Sequence, residues 1–266
     1  MSIFVLMGEL KNLSASRLLL LFTGGAALLF IIAPMAGMFL SLKAPHLFET
    51  IADSKVSHSI GLTLSVSFLA TLFSSVFAIP LAYVLARRNF PLKGLVEALI
   101  DIPVVIPHSA AGIALLGFIS RDSVVGSLAS KAGFTLIGSP FAIGMAMAFV
   151  SLPFLINAAK EGFAAVPVRL EHAAATLGAG EWTIFSRITL PLASRSVVSG
   201  LVMMFARGMS EFGAVVIVAY HPMTTPVLIF DRFNSFGLDY ARPVAAIFIV
   251  ITLLLFFVLR AYQKNR

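Results

Sequence analysis

The chain has 266 residues, of which 59% are hydrophobic and only 12% are charged, and its mean hydropathy is +1.00. A soluble domain carries about 25% charged residues, so this composition indicates an integral membrane protein. The sequence contains no cysteine, which excludes disulfide bonds, thiolate nucleophiles and cysteine-bound metals.

Six apolar segments are long enough to cross a bilayer, because a helix needs roughly 20 apolar residues to span its hydrocarbon core. The segments are residues 18–42, 60–86, 95–119, 139–159, 196–220 and 243–262. The first is too long for the apolar core of a signal peptide, so we expect it to be retained as a span. The sequence therefore predicts an all-α integral membrane protein with six transmembrane helices in a single domain, residues 1–266.

Lysine and arginine indicate which face of the membrane each loop occupies, because positively charged loops resist translocation. With the N-terminus in the cytoplasm, twelve of the 19 lysines and arginines fall in cytoplasmic segments, six fall outside, and Arg207 lies within a span. We therefore expect a multi-pass protein of the cell membrane with both termini cytoplasmic. The net charge of +7 largely follows from this topology, and no nucleic-acid partner is expected.

The third predicted span carries a carboxylate, a proline and a histidine. Asp101 lies near its cytoplasmic end, where it either stays solvated or pairs with Arg88 or Lys93. Pro107 lacks a backbone N–H and tends to bend or break a helix, which is typical of transporters but also occurs in ordinary spans. His108 lies deeper and either forms a hydrogen bond within the bundle or lines a transport path.

A polar segment, residues 160–194, separates the fourth and fifth spans and contains LEHAAATLGAGEWTIFSRITLP at residues 170–191. Apolar residues at three- and four-residue spacing predict a short helix, Gly178 fits a turn after it, and a second helix begins at Glu181 and ends near Pro191. Such a hairpin is either an amphipathic loop resting on the bilayer or the spans, or a helix that docks into a groove on a cytoplasmic partner.

The fifth span carries Arg207 and Glu211, which lie four residues apart and can pair across one helical turn. Charged residues at mid-bilayer cost about 2.5 to 3.5 kcal/mol and usually face the bundle interior or a water-filled path. One interpretation is an internal ion pair that joins helices, and the other is that Arg207 gives positive potential to an anion path. The charge of Glu211 argues against a high-affinity anion site.

The remaining signals are weaker. The outer segment after the fifth span contains an amphipathic run, Pro226–Phe236, with Thr225 as a possible cap, and this run is either a surface helix or part of an external gate. The spacing of histidines and carboxylates predicts no metal site, and no catalytic residue is expected.

The hairpin resembles the EAA loop of ABC importer permeases, which follows the pattern glutamate-alanine-alanine, three residues, glycine, nine residues, isoleucine, one residue, leucine or proline. The residues that carry the resemblance are Glu171, Ala173, Ala174, Gly178, Ile188, Leu190 and Pro191. His172 stands where the usual glutamate would be, and Glu171 lies one place earlier. The segments DIPVVIPHSAAGIALL, residues 101–116, and RGMSEFGAVVIVAYHPM, residues 207–223, resemble the molybdate and tungstate branch, which is close to the sulfate branch.

This resemblance, which covers about residues 60–262, implies a permease subunit rather than an enzyme. Its partners would be cytoplasmic ATPase subunits, a second copy of the permease in a homodimer, and an external oxyanion-binding protein. The chain has no G-x-x-x-x-G-K-[ST] phosphate loop, so ATP and Mg would bind to the separate ATPase. The hairpin would be the coupling helix, with Glu171, His172 and Trp182 facing the ATPase or its rim and Gly178 setting the turn. The substrate would be molybdate or tungstate, with sulfate as the alternative.

Two other classes of membrane protein compete with this interpretation. A secondary transporter driven by an ion gradient is expected to show an inverted repeat or an acidic ion site at mid-membrane, and Glu211 is the one deep acid with an adjacent counter-charge. A channel would not need the cytoplasmic hairpin.

Overall fold

The computed structural model describes residues 15–264, which form helices and turns without a strand in that range. The helices are, in chain order, α1 (Ala15–Leu40), α2 (Ala44–Ala52), α3 (Ser54–Arg87), α4 (Lys93–Val105), α5 (His108–Ile119), α6 (Val124–Lys131), α7 (Pro140–Ala165), α8 (Val168–Thr176), α9 (Glu181–Leu192), α10 (Ser194–Met209), α11 (Val215–Val218), α12 (Thr225–Phe236) and α13 (Leu238–Lys264). The expectation of an all-α fold is confirmed.

Four of the described helices, α1, α3, α7 and α13, are unbroken and long and apolar enough to cross a membrane. Two further candidates are bent pairs: α4 with α5 at 110°, and α9 with α10 at 75°. The described residues therefore contain four unbroken candidate spans, or up to six if each bent pair is one span. The unbroken helices coincide with the predicted first, second, fourth and sixth spans and extend beyond most of their predicted boundaries.

The third predicted span is not one straight helix. Ile106 has extended backbone angles, φ −73° and ψ 149°, as is favoured for a residue that precedes a proline. Pro107 then stands at the N-cap of α5, where its missing N–H costs no helical hydrogen bond. The 110° bend between α4 and α5 lies at this point.

The fifth predicted span, residues 196–220, is not one continuous helix. The helix α10 ends at Met209, and only the short α11 follows it. The carboxylate of Glu211 accepts the backbone N–H of Ala214 at 2.8 Å, so this N–H is satisfied outside a helical ladder. In the other direction, helical structure continues from α10 through a bend at Ala193 into α9, the second arm of the hairpin.

The core forms where α3, α7 and α10 pack together. On the side of the hairpin, Ala82 and Leu85 of α3 meet Phe163 of α7 and Met204 of α10, and all four side chains are buried. Small residues such as Ala82 let neighbouring helices approach closely, which stabilises packing inside a membrane. By contrast, α1 contacts α13 and has no buried residue in its span window.

Candidate functional site

The polar hairpin consists of α8, a turn and α9. Gly178 adopts the left-handed backbone conformation, φ +86°, which glycine reaches without the steric penalty of a side chain. The N–H of Gly178 donates to the carbonyl of Ala175, and that of Ala179 donates to Ala174, both at 3.0 Å. These bonds satisfy carbonyls at the end of α8, as in many glycine-terminated helices. The predicted sequence of helix, glycine turn and helix is present.

Glu171 does not face outward, in contrast to the expectation that it contacts a partner. Glu171 is only 8% exposed, and its Oε1 accepts a hydrogen bond from Nε of Arg87 at 2.9 Å. Nη2 of Arg87 also donates to the carbonyl of Val166 at the end of α7, at 2.9 Å. A buried carboxylate must be paired, and Arg87 at the end of α3 supplies the opposite charge. Glu171 therefore fastens α8 to the bundle.

A third group completes this contact from the second arm of the hairpin. The hydroxyl of Thr189, fully buried, donates to Oε1 of Glu171 at 2.6 Å. Phe185, one turn earlier, packs between Tyr83 of α3 and Phe163 of α7, with ring centroids 4.9 and 6.0 Å away. Thr189, Phe185 and Arg87 were not predicted to be site residues. Arg87 was visible only as a cytoplasmic positive charge.

The rest of the hairpin motif faces outward or lies at the rim. His172, Ala173, Gly178 and Pro191 are exposed, whereas Ala174 and Ile188 are half-buried. Two large apolar side chains are open on the same hairpin: Leu177 is 88% exposed and Trp182 is 74% exposed. Glu181, the first residue of α9, accepts a hydrogen bond from Nη2 of Arg88 at 2.7 Å in an exposed ion pair.

A second polar cluster joins the two broken helix pairs. Oε2 of Glu211 lies 3.0 Å from Nη2 of Arg207 and 2.7 Å from Nδ1 of His108, while Nη2 of Arg207 is also 2.9 Å from Nε2 of His108. Together with the Ala214 N–H, three donor groups therefore surround one carboxylate that is 1% exposed. The predicted pairing of Arg207 with Glu211 is confirmed, and His108 joins it from α5.

The backbone at this cluster leaves little free space. A Cβ on Gly213 would lie 2.7 Å from Cβ of His108, so the absence of a side chain there allows the two segments to meet. The side chains of Arg207 and His108 remain 25% and 36% exposed, which leaves one side of the cluster open. Pro107 is exposed beside it. The geometry joins helices and also presents part of a cationic group on an accessible surface.

Asp101 binds neither of the two basic residues that the sequence suggested as partners. Its Oδ1 instead accepts a hydrogen bond from Nδ2 of Asn157 on α7 at 2.8 Å. One turn earlier, Glu97 of α4 pairs with Lys160 of α7 at 3.2 Å. Asp101 thus takes part in the packing of α4 on α7. Among the described residues, no group of three histidines or carboxylates is arranged to hold a metal ion.

At the opposite end of α3, hydroxyl groups connect this helix to α12. The backbone N–H of Thr225 donates to Oγ1 of Thr63 at 2.8 Å, and the hydroxyl of Thr225 lies 3.4 Å from that of Ser59. All three residues are buried. Asp53, the N-cap of α3, also forms an ion pair with Arg232 of α12. The run Pro226–Phe236 is therefore part of a helix that is anchored to the bundle.

A tyrosine precedes α12 and binds its polar face. The hydroxyl of Tyr220 donates to Oδ1 of Asp231 at 2.6 Å. This hydrogen bond and the neighbouring carboxylate charge raise the pKa of the Tyr220 hydroxyl above its usual value, so the hydroxyl stays protonated over the neutral range.

Known proteins with similar sequences are transport components of the cell membrane. A family model described as a binding-protein-dependent transport system inner membrane component matches residues 78–265. The molybdate/tungstate transport system permease protein WtpB of Thermococcus kodakarensis is 42% identical over 233 residues, which cover 87% of this chain and 89% of that protein. The sulfate transport system permease protein CysT of Escherichia coli is 30% identical over 252 residues, 91% of each chain.

The fold is also found in a solved structure. A bacterial ABC transporter involved in the import of the acidic polysaccharide alginate contains a chain that matches with a TM-score of 0.76 and 20% sequence identity, over 98% of both chains. This likeness confirms the all-helical permease fold. The family match extends over most of the sequence and confirms the resemblance to ABC importer permeases. The chain therefore belongs to the family of binding-protein-dependent transport system inner membrane components, and is a multi-pass membrane permease subunit rather than an enzyme.

Proposed function

We propose that this permease carries molybdate or tungstate into the cell and that a separate ATPase drives it. The observation that carries the substrate assignment is the 42% identity to a molybdate/tungstate permease, against 30% identity to a sulfate permease over a similar length. An external oxyanion-binding protein delivers the anion. ATP and Mg bind to the ATPase subunits.

The hairpin of α8 and α9 is the attachment point for the ATPase in this proposal. This proposal is supported by a contrast within the hairpin: some of its residues are buried against the bundle, which we call its base, and others are exposed, which we call its tip. Glu171 and Thr189 fix the base, whereas His172, Leu177 and Trp182 are exposed. Exposed large apolar side chains on a polar segment are typical of protein interaction sites. The ATPase contact thus falls on these three exposed residues, while Glu171 positions the helix that carries them.

The transport path lies between two copies of the chain, at the open side of the cluster formed by His108, Arg207 and Glu211. The partial exposure of Arg207 and His108 supports this location. Because the negative charge of Glu211 offsets the positive charge of Arg207, the cluster guides an anion without holding it tightly. Transport is a shift between inward-facing and outward-facing populations that ATP binding to the partner biases.

The proposed orientation places the hairpin and both chain termini in the cytoplasm. The excess of lysine and arginine on that side supports it. The end of α3 that carries Asp53 then faces outward, together with α12, and the end that carries Arg87 faces the cytoplasm.

Uptake of labelled anions tests this function. The permease, its ATPase and its binding protein are reconstituted in proteoliposomes, and the initial rates of tungstate, molybdate and sulfate uptake are compared with ATP on the ATPase side. We expect ATP-dependent uptake of tungstate and molybdate that an excess of sulfate does not suppress. ATP-dependent uptake that prefers sulfate would contradict the substrate assignment and leave the ATP-driven mechanism in place.

A further inference from the structure

We propose that α3 links the ATPase attachment to the external helix α12, and that Arg87 and Arg88 are the positioning residues that join α3 to the hairpin. This inference rests on the proposed function, in which the hairpin receives the motion of the ATPase. It concerns how that motion reaches the far side of the membrane.

The cytoplasmic end of α3 holds both arms of the hairpin through two consecutive arginines. Arg87 binds Glu171 of α8, and Arg88 binds Glu181 of α9. Arg87 is 9% exposed at its side chain, and its guanidinium uses Nε for Glu171 and Nη2 for the carbonyl of Val166. The planar, forked guanidinium can serve two acceptors at once, whereas a lysine ammonium provides a single point of charge. The hairpin therefore cannot shift far from α3 without breaking a buried ion pair.

The outer end of α3 holds α12 in a comparable way. Thr63 and Ser59 contact Thr225 through buried hydroxyl groups, and Asp53 pairs with Arg232. Between the two ends, the helix is continuous over 34 residues, which corresponds to about 51 Å at 1.5 Å per residue. One helix therefore reaches from the hairpin to the external helix.

The same helix also touches the segment that carries the polar cluster. The hydroxyl of Ser67 donates to the carbonyl of Phe205 on α10 at 2.9 Å, two residues before Arg207. A Cβ on Gly208 would lie 2.8 Å from this hydroxyl oxygen, so α3 and α10 are in close contact here. A displacement of α3 would thus act on the proposed path as well as on α12.

The role of the arginines is tested by the coupling ratio, which is the amount of tungstate taken up divided by the amount of ATP hydrolysed. This ratio is measured in proteoliposomes that contain the complete complex. An allosteric coupling free energy of ordinary size corresponds to a 5- to 150-fold effect, so we expect Arg87→Ala and Glu171→Gln each to lower this ratio roughly tenfold. The charge swap of Arg87→Glu with Glu171→Arg restores most of the ratio, because it restores the ion pair. Co-purification of the ATPase is measured for each variant, so that a loss of assembly is distinguished from a loss of coupling.

Lys160→Ala is the matched control, because it removes another ion pair between helices, Lys160 with Glu97, that involves neither α3 nor the hairpin. Its ratio is expected to equal that of the wild type. A wild-type ratio in Arg87→Ala, or an equal loss in Lys160→Ala, would overturn the inference. If Arg87→Ala does not assemble, Arg88→Ala tests the inference in its place. The ion pair of Arg88 with Glu181 is exposed, so its removal leaves no buried charge without a partner. We expect it to lower the ratio about twofold, and an unchanged ratio would count against the link.

Failure of the proposed function gives a different result. If the wild-type complex takes up tungstate without ATP, the energy source is wrong and the ratio has no meaning. If the wild type is ATP-dependent and Arg87→Ala matches it, only the role of α3 is wrong.

Discussion

Glu211 is a charged residue with only 1% exposure, and its carboxylate is bound by Arg207, His108 and the N–H of Ala214. Removing one member of a buried ion pair typically costs about 3 to 5 kcal/mol, because the other charge stays buried without compensation. In this cluster the cost is moderated by the 25% exposure of the Arg207 side chain. Glu211 therefore connects α5 to α10 at their broken ends through His108 and Arg207.

The variant Glu211→Gln tests this role. It keeps the size of the side chain and removes its charge, so we expect a clearly lower thermal unfolding midpoint of the purified protein, with a loss of about 2 to 3 kcal/mol. Glu161→Gln serves as the control, because Glu161 is exposed on α7. An unchanged midpoint would contradict the role of Glu211 in joining the helices, whether or not anion uptake is lost.

The turn of the hairpin depends on the left-handed backbone of Gly178. A valine there strains the backbone by about 1 to 2 kcal/mol, although the space around the glycine is open. Since 1.4 kcal/mol corresponds to a factor of ten, we expect Gly178→Val to weaken ATPase binding roughly tenfold, as measured by titration of the purified ATPase onto the permease. Gly180→Val is the matched control, because Gly180 has an ordinary extended backbone, φ −71° and ψ 160°. Equal affinities of the two variants would show that the turn geometry does not matter for docking.

At the scale of elements, a disulfide tests whether α3 and α12 move together. The sequence has no cysteine, and the hydroxyl oxygens of Ser59 and Thr225 are 3.4 Å apart, so Ser59→Cys with Thr225→Cys introduces one defined cross-link. We expect the oxidised protein to transport at close to the wild-type rate, because the bond joins parts of one moving body. Uptake that stops on oxidation and returns on reduction would show that α12 separates from α3 during the cycle. Each single-cysteine variant, oxidised in the same way, is the control.

Some of the helices and turns could be predicted from sequence patterns, and others could not. Runs of apolar residues predicted α3, α7 and α13, because membrane helices are set by local hydropathy. Gly178 marked the hairpin turn, since few other residues adopt its backbone conformation. The end of α10 at Met209 was missed, because apolar residues continue beyond it and hydropathy alone does not report where a helix ends.

The sequence also did not predict which residues bind each charged side chain. Glu171 was expected to face the ATPase, yet it binds Arg87, which is 84 positions away in the chain. Asp101 was expected either to stay solvated or to pair with Arg88 or Lys93, yet it binds Asn157. In both cases the partner depends on which helices pack together, and the sequence pattern does not report that packing. The motif indicated the family, and the packing determined the role of each residue.

At the scale of the whole molecule, the proposed mechanism is that of a permease whose movement comes from an ATPase bound to its hairpin. The anchored base of the hairpin, its exposed tip and the continuous α3 give this arrangement a physical connection across the membrane. An ion-gradient transporter would instead need a deep acidic group that binds and releases its coupling ion. Glu211 is enclosed by three donors and is poorly placed for such exchange.

The energy source of uptake is the most direct test of this account. Tungstate uptake is measured in proteoliposomes with the binding protein present, once with the ATPase and ATP, and once without the ATPase under an imposed proton or sodium gradient. The account predicts uptake only in the first condition. Uptake driven by the gradient alone, without the ATPase, would contradict it.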